Sequence, residues 1–200
     1  MKTYTAVILS TVDGDSFCGG SLVSPTHVLT KTPTRRRTSC RWTRTTSTAR
    51  ADQGRVGPEP HGIEHVQRRL ILCSADSGEA QQVRAYQASK TDDLDIIPGM
   101  WPKAMGWATT ASRTAPPRTS CKVSALRSLC SGDVANKDAS MTDTGGPLIK
   151  EKDPGDADDI LLGLVNWGYG CDDAGSPTVY SRVTAAIQRI NSITSAKRSS

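Results

Sequence analysis

Short apolar runs, punctuated by Gly, Pro and Asp, mark most of this chain as β-structure. Val7-Ile8-Leu9 is long enough for one strand, and Gly14-Asp15 reads as a turn behind it. Ser21-Leu22-Val23 and His27-Val28-Leu29 predict further strands. Between residues 31 and 90 the pattern lapses, with neither sustained alternation nor a helical period. That stretch is rich in Thr, Ser, Arg, Gln and Gly, a composition expected of disordered chain. Order returns near Pro98. Met100–Trp107, Asp159–Gly168 and Thr178–Val183 each predict a strand. Thr184 stands where it can cap a final helix, whose Ile187, Ile190 and Ile193 recur at three-residue spacing on one face. Residues 194–200 read as a tail, with Ser195–Ser200 frayed. No internal repeat is present.

A length of 200 residues suits one domain, or two small barrels sharing an interface. No run of about 18 apolar residues predicts a membrane helix. Met1–Ser10 has no apolar core long enough for a signal peptide, so in a secreted form the leader lies upstream of Met1 or is missing. The net charge of +5 is unevenly placed. Residues 31–90 carry 12 Lys/Arg against 5 Asp/Glu, and the remainder carries 13 against 15. Arg35-Arg36-Arg37 and the scattered basic residues after it have no aromatic interleaving and no nucleic-acid motif, so nucleic acid is not an expected partner. The six cysteines suit an oxidising compartment. None has metal-ligand spacing, and nothing implies a metal or another cofactor.

The candidate chemistry lies in Asp138-Ala139-Ser140-Met141-Thr142-Asp143-Thr144-Gly145-Gly146-Pro147-Leu148. This run resembles the nucleophile loop of chymotrypsin-like serine proteases, usually Gly-Asp-Ser-Gly-Gly-Pro, with Thr144 in the nucleophile's place. Threonine keeps a hydroxyl but crowds it with a methyl group. Such a hydroxyl is weak without a hydrogen-bonded base. The run from Cys18 to Thr30 resembles the family's approach to that base, and Pro33 stands where its histidine should be. Proline has neither a titratable group nor an N–H. Of the three histidines, His27 lies six residues upstream in an expected strand, where a packed or surface role suits it better.

Further matching blocks are Met105-Gly106-Trp107, Leu129-Cys130-Ser131-Gly132, Val165-Asn166-Trp167-Gly168-Tyr169-Gly170-Cys171 and Pro177–Val183. They occur in family order over 2–30 and 98–193. The resemblance implies an all-β fold with one homology domain over 2–193. It would be a chymotrypsin/trypsin-like double β-barrel with a C-terminal helix, its N-terminal barrel incomplete. A narrower resemblance rests on Lys2–Thr5, Ser24–Thr30, Ile97–Trp101, Asp143–Glu151 and the final strand. These look like the glucanase inhibitor proteins of oomycete plant pathogens, secreted protease homologues without protease activity. That resemblance implies a monomer in the plant apoplast that binds and inhibits plant endo-β-1,3-glucanase, with no membrane association and no catalysis. Two other readings stay open: a residual endopeptidase using Thr144, and a product with no function.

The resemblance also assigns individual positions. Asp138 would floor the primary specificity pocket, or it is an exposed carboxylate in a remnant loop. Thr142 and Thr144 would supply oxyanion-hole N–H groups, and Asp143 would pair with a freed amino terminus. Cys18 lacks its expected partner, because Thr34 occupies that place; Cys171 lacks its own at Ser140. Cys121 and Cys130 can still pair. Residues 31–90 match nothing in the family as written. Leu72–Lys90, LCSADSGEAQQVRAYQASK, becomes FALLTLEKPSKFAPIKLPK under one codon choice shifted by one nucleotide, and that peptide resembles the family. Out-of-frame translation of roughly 31–90 is therefore expected.

Overall fold

The structure is a computed structural model that describes residues 4–9, 16–24, 27–31, 41–44, 64–67, 70–74, 96, 100–106, 128–131, 144–151, 159–168 and 178–196. Eleven strands and one helix are present among them. The first sheet contains β1 (Thr5–Leu9), β2 (Ser16–Ser24), β3 (His27–Lys31), β4 (Arg41–Arg44), β5 (Glu64–Gln67) and β6 (Leu70–Ser74), in the order β4-β1-β2-β3-β6-β5. The second contains β7 (Lys103–Ala104), β8 (Ser128–Ser131), β9 (Pro147–Lys150), β10 (Ile160–Trp167) and β11 (Thr178–Arg182), in the order β7-β9-β10-β11-β8. Every pairing is antiparallel. The architecture is thus mostly β: two sheets followed by one C-terminal helix, in keeping with a trypsin-like fold.

Three of these strands correct the sequence reading. β4, β5 and β6 lie inside 31–90, where periodicity predicts none. β6 owes its place to its neighbour. Leu70-Ile71-Leu72-Cys73 is an apolar run too short to decide its own conformation. It pairs with β3 from Lys31↔Leu70 to His27↔Ser74, so the ladder supplies what local pattern does not. Conversely, the strand expected over Met100–Trp107 shrinks to Lys103–Ala104, both exposed at the sheet edge.

The helix also departs from expectation. Thr184–Ala186 forms a 3-10 turn, and α1 runs from Ile187 to Ala196. The residue before the turn is Val183, with no side-chain cap bond, so Thr184 lies inside the turn and does not cap it. Ser195 and Ala196 belong to α1, which enters the stretch read as tail. Ile190 is buried; Ile187 and Ile193 are half-buried.

One core joins both sheets. Tyr4, Val23 and Leu29 from the first sheet's side pack with Ile149, Leu161, Leu164 and Val183 from the second, and with Ala186 and Ile190 at the helix. A second cluster, Leu129, Leu148, Leu162, Val165 and Tyr180, fills the other face of the second sheet. β10 serves both clusters, with Leu161 and Leu164 in the first and Leu162 and Val165 in the second, which explains its near-continuous apolar sequence. Polar contacts stitch the same seam. The Tyr4 hydroxyl donates to Asp159 Oδ2 at 2.7 Å, and Thr5 Oγ1 lies 3.7 Å from Met105 Sδ.

Candidate functional site

Where the two sheets meet, the backbone of β2 runs against the loop that carries Thr144. The Gly19 N–H donates to the Thr144 carbonyl at 2.7 Å. Gly145 has φ of 86°, a left-handed conformation that side chains resist. A Cβ there would sit 2.4 Å from Gly19 O and 2.6 Å from Thr30 Oγ1. A Cβ on Gly19 would sit 2.7 Å from Gly146 Cα. Glycines are thus required on both sides of this approach. The loop is then clamped to β10: Gly145 N–H donates to Val165 O at 2.8 Å, and Val165 N–H donates to Gly146 O at 2.9 Å. Thr30 Oγ1 donates to Gly19 O at 2.7 Å and fixes β3 to the same strand.

This frame holds Thr144 half-buried at the seam. Its chemistry is limited by what surrounds it. His27 is buried at 2 % exposure on β3, and its Nδ1 lies 2.8 Å from Ser24 Oγ. It is a packed histidine engaged by its own hairpin, as expected of its position. β3 ends at Lys31, whose ammonium crosses the seam and donates to the backbone carbonyl of Asn166 on β10. Lys31 and Asn166 form a contact that the sequence gives no means of pairing. Asn166 is 7 % exposed, and its Oδ1 is buried without a hydrogen-bond partner among the described residues. Trp167, beside it, is partly exposed.

Several sequence-assigned positions fall outside the described residues: Pro33, Asp138, Cys121, Thr142, Asp143, Thr34, Ser140 and Cys171. Cys130, exposed on β8, is disulfide-bonded. Cys18 is a free, buried thiol. Burial pushes it up from 9.0 to about 11, while the positive charge of Lys31 pulls the other way. Among the described residues, no His, Cys, Asp and Glu groups cluster to hold a metal ion. No helix described is long and apolar enough to cross a membrane.

The described part of the site is thus a glycine-held loop around a half-buried threonine, with the Lys31 ammonium donating to Asn166 at the same seam. The trypsin family model matches residues 104–190, which contain this loop and β8 to β11 but not β2 and β3. Glucanase inhibitor protein 2 of Phytophthora sojae is 39% identical over 98% of this chain and 76% of its own length. Glucanase inhibitor protein 2 of Phytophthora infestans is 39% identical over 96% of this chain and 84% of its own. Glucanase inhibitor protein 1 of Phytophthora infestans is 36% identical, with the same two coverages. The first alignment is 232 residues long against a chain of 200, so that relative carries residues with no counterpart here. On identity and coverage across nearly its whole length, the chain belongs to the glucanase inhibitor protein family.

Proposed function

We propose that this chain is a secreted, non-proteolytic serine protease homologue that binds and inhibits plant endo-β-1,3-glucanase in the apoplast. Its mechanism is surface blockade of the enzyme by a monomer, without cofactor, nucleic acid or membrane. The observation that carries this reading is the full-length likeness to proteins named for glucanase inhibition, joined to a site with the loop but not the chemistry. Proton transfer from a hydroxyl requires a base within hydrogen-bond reach. Pro33 replaces that base, and Thr144 replaces the serine, so the oxyanion donors have no nucleophile to serve.

The finer architecture belongs to the same proposal. The strand order β4-β1-β2-β3-β6-β5 becomes a six-stranded barrel if β4 and β5 join, and the second order becomes a barrel if one strand is added between β8 and β7. The proposed architecture is a double barrel over 2–193 with its N-terminal barrel incomplete and roughly 31–90 out of frame. Asp138 would be the remnant pocket floor, and Cys121 the partner of Cys130.

The test is expression in an oxidising host, then binding and inhibition of a plant endo-β-1,3-glucanase with a trypsin-substrate assay alongside. Glucanase inhibition without proteolysis is expected. Cleavage of the peptide substrate, with labelling of Thr144 by a fluorophosphonate, would establish a residual endopeptidase instead. A folded protein that leaves the glucanase fully active refutes the inhibitor role. Transcript sequencing checks the frame of 31–90, and a continuous printed frame shared by related chains refutes the shift.

A further inference from the structure

The register of β10 breaks between Val165 and Trp167. On β11, Val165 faces Tyr180 and Trp167 faces Val179, so Asn166 is the extra residue of a β-bulge. On the other side, strand pairing with β9 ends at Leu164↔Pro147, and the loop bonds of Gly145 and Gly146 extend only to Val165. Among the described residues, Asn166 thus lies outside both registers, at a buried position. A buried carbonyl left without a donor costs about 1–3 kcal/mol. Lys31 supplies the donor from the opposite sheet. Its amine reaches there because β3 is pinned one residue earlier by the Thr30–Gly19 bond.

From this geometry we infer that Lys31 is a latch between the two sheets. Its ammonium satisfies the bulge carbonyl of Asn166 and holds the Thr144 loop, through Val165, against the first sheet. The seam at Asn166 is then a structural joint that the chain's own cation enters. Two features of the joint agree. The adjacent Asn166 Oδ1 is another buried acceptor with no partner among the described residues, so a donor at this point is at a premium. Lys31 is itself half-buried, on the strand that pairs with β2. The inference is independent of which protein the chain binds.

Two measurements test it. The first uses the unaltered chain: reductive dimethylation with formaldehyde and cyanoborohydride, resolved by peptide mass spectrometry. Lys103 is the internal reference, its side chain 59% exposed. Lys31 is expected to react about tenfold more slowly than Lys103 when folded and equally fast in denaturant. Equal rates in the folded chain overturn the latch. The second uses Lys31→Met, which keeps the stem and removes the ammonium, with Lys103→Met as control. Amide exchange by NMR is expected to quicken about tenfold at Gly145 and Val165 in Lys31→Met only. Unchanged exchange at these two amides in a folded Lys31→Met overturns it. If that variant does not fold, the labelling result decides alone.

Discussion

The thiol of Cys18 offers a quantitative check on the first sheet. It is 7% exposed and free, and burial raises it from 9.0 to about 11. At pH 8 a thiol of ordinary acidity is roughly one-tenth ionised, whereas one at about 11 is ionised to roughly one part in a thousand. Alkylation proceeds through the thiolate, so the shift alone slows it about a hundredfold, before any steric protection. Site-resolved iodoacetamide labelling, folded against urea-unfolded, reads this ratio directly. The same shift sets a pH dependence. The folded pKa lies above the unfolded one, so the native state binds this proton more tightly. Its contribution is complete below pH 9 and is lost as pH rises through 11. Two pKa units correspond to about 3 kcal/mol. Relative to Cys18→Ala, which has no thiol to titrate, the parent chain is expected to lose that amount between pH 9 and 11. Native-state labelling within threefold of the unfolded rate, or parallel stability curves for the two chains, refutes the burial argument.

Other perturbations act on the joint between the sheets. Leu164→Ala removes a fully buried side chain from the core that both sheets share, and is expected to cost about 2–5 kcal/mol in denaturant unfolding. Gly145→Ala forces a Cβ within 2.4 Å of Gly19 O in a left-handed backbone, and is expected to cost at least about 3 kcal/mol or prevent folding; a loss below about 1 kcal/mol contradicts the close approach. Tyr4→Phe deletes the 2.7 Å bond to Asp159, with an expected loss of about 1–2 kcal/mol that a Tyr4→Phe/Asp159→Asn cycle assigns to the pair.

What the sequence made legible is what local chemistry dictates. The strands at 5–9, 16–24, 27–31, 160–167 and 178–182 are legible through the short apolar runs at Val7–Leu9, Ser21–Val23, His27–Leu29, Asp159–Gly168 and Thr178–Val183, and each holds a buried apolar residue, Ile8, Val23, Leu29, Leu164 and Val179 among them. Gly145 is legible for a related reason: its close approach to Gly19 and its positive φ admit no Cβ, so the motif records a backbone geometry. Thr144 lies half-buried beside that geometry. β4–β6 were hidden because Arg41–Arg44 and Glu64–Gln67 carry no strand alternation and acquire their conformation from partners on other strands. Lys31 was hidden for a deeper reason. A lysine at the end of a strand ordinarily reads as a solvated charge. Its role here depends on a bulge 135 residues away that turns one carbonyl out of its ladder. No spacing within either segment encodes that meeting. The same separation explains how a protease-like frame can persist without protease chemistry. The glycines and the shared core that position the loop are independent of the side chains that a protease reaction needs, so the frame stands whether or not those side chains are kept.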